Sequence, residues 1–510
     1  MKLTKYLALA LCGGMVSACS DSFFDETSST SVSQDQIEQV SKEDPEKVLG
    51  SQLKGCYTDW NYRRGTSAGN INDHMSVGFG GIMMLSDAMS NDISLALGSG
   101  DPWHFDHALD YGAEQYVRTR WIWSWFYAII NDANAVIGVV NEDDMAESAR
   151  PMVGQAYAFR GIALAYLAQF YQRTYINDYN NGGKASTELP CVPIVLSAKE
   201  EGGVDGRATV AQVYAQVEKD LLKAIDYLDG FQRDSKMTID KSVAQGLLSR
   251  VYLVMNKWAE AAQMAHDARQ GYPLNNIEEA GVWNYQDADN QEVLWAMIPT
   301  PETALYYYAS WASWHSIDGP GYGGTQVGVI QLIDAALYNS ISDTDVRKTL
   351  FVAPGDDSMG FPAYANMKFP FVSQWLGNVV YMRSSELILT EAEGLLMSGN
   401  APQAMAVMAE YMANRDAAWT APSVLTQNYI YAERRAELWG EGFGYFDMLR
   451  MHQPLQRAYE GSNEPASSQT NVAADDYLFI YQLPKSEIND NENISPEDQN
   501  PVSGNVWTGK

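Results

Sequence analysis

Two segments with helical periodicity, each interrupted by a short turn, constrain the fold of this chain more than any other feature. The first covers residues 243–271 and turns near Asn256, and the second covers residues 381–413 and turns at Gly399. Alanine and other small residues let the two helices of a pair approach closely, and bulky side chains fill the space between pairs. The pattern predicts a mainly α fold that is built from helical hairpins.

Further helices with the same apolar spacing are predicted at residues 116–140, 152–171, 209–228 and 429–451. The hairpins are of tetratricopeptide type but irregular, because their repeat period is not clean. We expect this scaffold, with little β structure, to occupy roughly residues 115–271 and 380–451. Two stretches rich in glycine and aromatic residues, roughly 57–110 and 283–375, are predicted as ligand-binding loop insertions, since connectors of this length are commonly functional.

The start of the chain is typical of a lipoprotein export signal. Lys2 and Lys5 precede a short apolar run, and small residues lead directly to Cys19. Such a run is too short for a permanent membrane span, and a cysteine at this place indicates cleavage followed by lipidation. An ordinary secretory signal is the alternative. We expect a signal peptide at 1–18, a flexible lipid-anchored tether at 19–42 and a single folded body at 43–510.

Charge and cysteine usage exclude several classes of partner and scaffold. The chain has 34 Lys and Arg against 64 Asp and Glu, a net charge of −30, which disfavours nucleic acid and anionic lipid. Of the 4 cysteines, only Cys56 and Cys191 remain in the body. They could form one disulfide, but two distant thiols do not require it.

An aromatic segment in the second insertion is the leading candidate for ligand contact. It contains Tyr306, Tyr308, Trp311, Trp314 and His315 and is followed by a glycine-rich run. Flat aromatic side chains pack against the apolar C–H face of a pyranose, while polar groups bond its hydroxyl rim. Burial between hairpins is the alternative for any one of these rings.

Trp103 is the second candidate, because it follows a break in the chain and precedes a predicted helix. Asp101 and Asp106 flank it and offer carboxylates to sugar hydroxyls. Together with the aromatic segment, Trp103 and Asp101 complete the predicted binding residues.

Catalytic and metal-binding interpretations are weaker. Glu433, Glu437 and Glu441 share one helix face, but neighbouring arginines favour ion pairing over the facing carboxylates that a glycosidase needs. His104 and His107 lack the spacing of a zinc helix motif, and no glycine-rich phosphate loop is present. We therefore expect no catalytic residue, no metal site and no cofactor.

Several local motifs occur in a specific order along the chain. They are residues 86–92 (Ser-Asp-Ala-Met-Ser-Asn-Asp), 129–134 (Ile-Ile-Asn-Asp-Ala-Asn), 381–393 beginning Tyr-Met-Arg-Ser-Ser-Glu, 434–442 (Arg-Arg-Ala-Glu-Leu-Trp-Gly-Glu-Gly), 445–450 (Tyr-Phe-Asp-Met-Leu-Arg), 483–489 (Leu-Pro-Lys-Ser-Glu-Ile-Asn) and 499–501 (Gln-Asn-Pro). In this order and spacing they resemble the SusD/RagB family of Bacteroidetes outer-membrane lipoproteins. The resemblance covers nearly the whole mature chain. It departs at Gly444, where the family usually has arginine, and at residues 495–498, which are extra.

The resemblance implies a non-catalytic, cell-surface lipoprotein of the outer membrane that caps a SusC-like TonB-dependent transporter. It also implies four tetratricopeptide-type hairpins with loops that hold an oligosaccharide or, in some members, a peptide. We therefore expect oligosaccharide capture and delivery to the transporter. The alternatives are peptide capture, an anchored glycoside hydrolase and an adaptor that binds only proteins.

Overall fold

The computed structural model describes residues 44–62, 78–95, 103–110, 112–177, 183–198, 206–283, 285–287, 289–303, 310–318 and 328–501. The predicted signal peptide at 1–18 and the predicted tether at 19–42, with Cys19, lie outside the described residues, as do Asp101, Tyr306 and Tyr308. No helix within the described ranges combines the length and hydropathy of a membrane span.

Helices are the predominant regular structure of the described chain. Those before residue 270 are α1 (Pro45–Asn61), α2 (Phe79–Ala88), α3 (His104–His107), α4 (Val117–Ile137), α5 (Arg150–Tyr171), α6 (Val210–Tyr227), α7 (Lys241–Val254) and α8 (Trp258–Ala268). Those after it are α9 (Ile277–Ala280), α10 (Trp311–His315), α11 (Ala335–Ser340), α12 (Ser384–Met397), α13 (Ala401–Met412), α14 (Gln427–Glu437), α15 (Gly444–Arg450) and α16 (Lys485–Asp490). The predicted mainly α fold is confirmed.

Local sequence explains where the scaffold helices begin and end. Thr209 caps α6 through a reciprocal capping box with Gln212, and Gly230 follows the helix with φ of 75°. Glycine adopts that left-handed conformation without strain. Asn256 and Gly399, with φ of 55° and 92°, make the turns of the two predicted hairpins.

Small residues bring the hairpins into close contact, as the sequence predicts. A Cβ added to Gly394 of α12 would lie 2.5 Å from the backbone oxygen of Trp258 at the start of α8. A Cβ on Gly161 of α5 would likewise come within 3.1 Å of Leu221 on α6. These glycines therefore set the separation of neighbouring helices.

Three short antiparallel pairs provide the β structure of the described residues. The strands are β1 (Ile93–Leu95), β2 (Val293–Met297), β3 (Gln331–Ile333), β4 (Val379–Arg383), β5 (Leu455–Gln456) and β6 (Asn471–Val472). β1 pairs with β3, with Ile93 opposite Ile333, and β5 pairs with β6. β2 pairs with β4 through a bulged register, which joins the second insertion to the start of α12.

The core is rich in stacked aromatic rings. Trp60 is 1% exposed and stacks on Phe79 and Trp295, with ring centroids 4.4 and 5.3 Å apart. Cys56 and Cys191 are buried as free thiols, so no disulfide joins them.

Candidate ligand-binding site

Two of the sequence motifs, residues 86–92 and 434–442, are in contact with each other. The Asp87 carboxylate accepts hydrogen bonds from the backbone N–H groups of Gly442 (2.7 Å) and Gly444 (3.2 Å). Five residues further on, Asp92 forms an ion pair with Arg435 at 2.6 Å. Segment 86–92, which leads into β1, is thereby held against α14 and α15.

Gly444 is required by this close approach. A Cβ at that position would lie 2.5 Å from Ser90 Oγ and 3.3 Å from Asp87 Oδ1. Arginine, the residue usual in the family, would force the 86–92 segment away. Position 444 is therefore sterically restricted to glycine in this packing.

The described part of the aromatic segment, Trp311–His315, forms α10 instead of an exposed loop. Ser310 caps the helix by accepting a hydrogen bond from the Ser313 N–H. Trp311, Trp314 and His315 are 2%, 2% and 0% exposed. Packing against α2 contributes to this burial, since a Cβ on Gly80 would lie 3.1 Å from Trp311 Cβ.

Phe369 covers the same rings from another side. Its ring centroid lies 4.9 Å from that of Trp311 and 4.7 Å from that of His315. Trp311 and His315 also contact each other at 4.4 Å. In this conformation Trp311 and His315 belong to an aromatic cluster with Phe369, Trp314 is also buried, and the role of all three in ligand binding stays a prediction.

Several buried polar atoms at this cluster have no hydrogen-bond partner in the described part of the chain. They are both ring nitrogens of His315, Nε1 of Trp311 and Oε1 of Gln331. Burial, with a smaller contribution from the charge of Lys368, lowers the pKa of His315 to about 3, so its imidazole is neutral at pH 7. Buried polar groups are nearly always paired. The cluster therefore offers donors and acceptors that a hydroxylated molecule could satisfy.

Trp103 and its neighbouring carboxylate are already engaged. Trp103 is 2% exposed, and the Arg118 guanidinium lies 5.1 Å from its ring centroid. The same guanidinium binds Asp106 through two hydrogen bonds of 2.9 and 2.6 Å. Asp106 therefore serves as a structural partner of Arg118 in this conformation.

The three glutamates of α14 and the following turn form buried ion pairs. Their partners are Arg347 for Glu433 (2.6 Å), Arg383 and Arg415 for Glu437 (2.6 and 2.8 Å), and Arg383 and Lys368 for Glu441 (2.7 and 2.6 Å). Burial alone would raise the pKa of Glu437, but the Arg415 and Arg383 charges hold that pKa well below its ordinary value. Against the same effect of burial, the charges of Arg383 and Lys368 lower the pKa of Glu441 as well. A glycosidase acid needs a raised pKa, so Glu437 and Glu441 do not fit that role.

His107 is also structural. It is 1% exposed, its Nδ1 lies 3.0 Å from the Ala88 oxygen and its Nε2 lies 3.2 Å from Glu464. Burial and the nearby Arg457 charge lower the pKa of His107 to about 4. No cluster of three or more metal-ligating side chains occurs among the residues that the structure describes.

Sequence reasoning missed two participants in this region. Gln331 reaches the aromatic cluster because β3 pairs with β1, and Lys368 reaches Glu441 from a separate loop. Gln331 is distant in sequence from the aromatic cluster, and Lys368 is distant from Glu441. Neither residue belongs to a motif shared with the SusD/RagB family. The strand pairing that brings Gln331 into place has only three residues on each side.

Two family models match the chain. Residues 82–253 match a SusD-like family described as "Starch-binding associating with outer membrane", and residues 372–502 match the SusD family. No curated protein matches the chain.

Solved structures share the fold along almost the whole length. A SusD-like carbohydrate binding protein from Bacteroides vulgatus ATCC 8482 is 24% identical, with 90% of this chain and 98% of that chain covered and a TM-score of 0.71. A SusD superfamily protein from Bacteroides thetaiotaomicron VPI-5482 is 22% identical, with 89% and 99% covered and a TM-score of 0.72. A laminarin binding SusD-like protein is 20% identical, with 89% and 99% covered and a TM-score of 0.66.

The helical scaffold, the short strand pairs and the ordered motifs define a SusD-like fold. The chain belongs to the SusD/RagB family.

Proposed function

We propose that the protein binds an oligosaccharide at the cell surface and delivers it to a SusC-like TonB-dependent transporter. The observation that carries this proposal is the match of residues 82–253 to a family described as starch-binding and associated with the outer membrane. Solved relatives described as carbohydrate and laminarin binding proteins support the same ligand class. The protein acts by binding, without catalysis.

The proposed ligand contacts are those of the aromatic segment and of the Trp103 region. The assignment comprises seven residues: Tyr306, Tyr308, Asp101, Trp311, Trp314, His315 and Trp103. Because the last four are buried, direct stacking on Trp311, Trp314 or His315 requires residues 310–318 to move, and stacking on Trp103 requires its own segment to move. The unpaired atoms of His315, Trp311 and Gln331 would then pair with sugar hydroxyls.

Isothermal titration of the mature protein with maltooligosaccharides and laminarin oligosaccharides tests the proposal. His315→Leu removes the unpaired ring nitrogens while keeping an apolar side chain in the cluster. We expect it to weaken saccharide binding about tenfold, which corresponds to about 1.4 kcal/mol. His266→Leu is the matched control, because His266 lies on α8 and its side chain is 49% exposed.

The competing functions give different outcomes. Binding of peptides but not of saccharides would favour the peptide-capture alternative within the same family. Cleavage of a bound oligosaccharide by the pure protein would favour an anchored hydrolase. If neither ligand class binds and only a protein partner is recovered, the adaptor alternative holds.

Anchoring through Cys19 is tested separately. Mass spectrometry of the mature N-terminus is expected to find acyl chains on Cys19, and Cys19→Ala should move the protein to the soluble fraction. Protease treatment of intact cells tests surface exposure. Copurification with a TonB-dependent barrel from detergent-solubilised membranes tests the transporter partner. A non-acylated, soluble protein would contradict the anchor.

A further inference from the structure

A polar cavity lies at the end of the β1–β3 pair, away from the aromatic cluster. It encloses about 420 Å³ and is lined by Asn91, Asp334, Tyr431, Arg435, Tyr459 and Asn471, among others. Its volume is in the range of small-molecule sites, roughly 300–1,000 Å³. Asp334 follows β3 at this end, whereas Gln331 begins the strand and faces the His315 region. Three residues of strand separate the two places by roughly 10 Å.

One wall of the cavity is held rigid by hydrogen bonds. The Tyr459 hydroxyl donates to Asp334 Oδ2 at 2.6 Å and accepts from the Ala336 N–H at 3.0 Å. Asp334 Oδ1 in turn accepts from the Leu337 N–H at 2.9 Å as the cap of α11. A carboxylate and a tyrosine ring are thus fixed in place before any ligand arrives, which lowers the entropy lost on binding.

Helix α14 contributes an aromatic ring and a guanidinium to the lining of the cavity. Arg435 Nε is bound to Asp92 at 2.6 Å, and its guanidinium lies 5.7 Å from the Tyr431 ring centroid. Across the ranges that the structure covers, nothing bonds to Arg435 Nη1 or to the Tyr431 hydroxyl. Both residues line the cavity, and these two groups are left for a ligand to bond.

The charges around the cavity select against an anionic ligand. Asp92 compensates Arg435, and Asp334 adds a further negative charge beside them. The whole chain carries a net charge of −30. A uronic acid or a phosphorylated sugar would meet repulsion here, whereas a neutral sugar would not.

From this geometry we infer a second saccharide subsite, in which the Tyr431–Tyr459 cavity holds a neutral sugar unit. Tyrosine rings suit the C–H face of the sugar, Asp334 accepts from a hydroxyl, and Arg435 Nη1 donates to one. The inference rests on the proposed function. It is independent of the aromatic segment, because the cavity is lined by Asn91 and Asp334 at the end of the β1–β3 pair, by α11, α14 and residues 453–459, and by Asn471 of β6.

Blocking the cavity from its rim tests the subsite. Ala432 lines the cavity and is exposed on α14, so Ala432→Trp fills the space without removing a core contact. Ala409→Trp is the matched control, an exposed alanine on α13 away from the cavity. Titration of the mature protein with maltohexaose and laminarihexaose should show about tenfold weaker binding, or one site fewer, for Ala432→Trp only. Tyr459→Phe, which removes the hydroxyl bonded to Asp334, should also weaken binding.

Hydrogen exchange locates the bound sugar directly. We expect saccharide to slow amide exchange in segments 334–340 and 453–460 of the wild-type protein. Equal affinity and stoichiometry for wild type, Ala432→Trp and Tyr459→Phe, without protection of these segments, would overturn the subsite. If oligogalacturonate binds in the cavity as tightly as the neutral sugars, the assignment of a neutral ligand is wrong. If a peptide, and no saccharide, protects these segments, the cavity is a peptide site and the saccharide subsite is wrong. If the wild-type protein binds no saccharide at all, the proposed function fails together with the subsite. If it binds saccharide without involving these segments, only the subsite fails.

Discussion

Glu437→Gln is expected to destabilise the fold strongly, because Glu437 lies at the centre of a buried ion cluster. Its Oε1 accepts from Arg383 Nη1 at 2.6 Å and from Arg415 Nη2 at 3.0 Å. Its Oε2 accepts from Arg415 Nε and from the Tyr411 hydroxyl, both at 2.8 Å. Every neighbour is a donor, so the amide of glutamine would place an N–H against another donor in either orientation.

The magnitude follows from what remains after the substitution. Removing one partner of a buried pair typically costs 3–5 kcal/mol, because a charge is left without compensation. Arg383 keeps Glu441 and Glu292, and Arg415 keeps Glu292 at 3.1 Å. The remaining pairs favour the lower part of that range, about 3–4 kcal/mol. Since whole domains are stable by about 5–15 kcal/mol, this loss is large.

Urea denaturation followed by circular dichroism measures the effect. Glu410→Gln is the control, because Glu410 pairs with Arg269 at 2.9 Å while its side chain is 50% exposed. Surface pairs contribute about 0–1 kcal/mol. Arg415 and Arg383 keep the pKa of Glu437 well below its ordinary value despite the opposing effect of burial. The contribution of ionised Glu437 to stability is therefore fully present at pH values above its ordinary pKa. It is lost only as the pH falls towards the lower pKa of the folded state. The effect of Glu437→Gln should then be equal at pH 7 and pH 5, and a loss no larger than that of Glu410→Gln would refute the reasoning.

Three other predictions concern stability and reactivity. Burial lowers the pKa values of His107 and His315 to about 4 and about 3, below the unfolded value of about 6.5. The unfolded state therefore binds protons first as the pH falls, and each histidine lowers the free energy of unfolding by about 2 kcal/mol between pH 7 and pH 5. Urea titrations at both pH values should show this decline, and His315→Leu should remove about half of it. Gly394→Ala should lower stability by about 1–3 kcal/mol, because its Cβ would meet a backbone oxygen. Gly50→Ala, whose Cβ would have its nearest neighbour 3.9 Å away, should raise stability by about 0.5–1 kcal/mol. Thermal melting compares the two variants. Burial raises the pKa of Cys191 to about 12, so a thiol reagent at pH 8 should modify it only after denaturation, and rapid labelling of the native protein would contradict its burial.

The scaffold was predictable because its signals are local. The Thr209 cap, the Gly230 stop and the turns at Asn256 and Gly399 each act within a few residues of the helix that they limit. Apolar periodicity added the buried face of each helix. The hairpins and their boundaries therefore follow from short stretches of sequence.

The candidate site was less predictable because exposure depends on distant residues. A tryptophan-rich segment has the same composition whether its rings face solvent or pack on Phe369, so Trp311 and Trp314 could not be placed from sequence. Ion pairing of Glu437 was predicted, but its partners were not, for the same reason. Glu437 stands beside Arg434 and Arg435 in sequence, but those arginines bind Asp447 and Asp92, and Glu437 binds Arg383 and Arg415.

The contact between Asp92 and Arg435 joins positions 343 residues apart. Such a contact cannot form until the last fifth of the polypeptide is available, and long-range contacts of this kind slow folding. Truncation before Arg435 removes one partner of this contact, so the shortened product should lack the ion pair that holds segment 86–92 against α14.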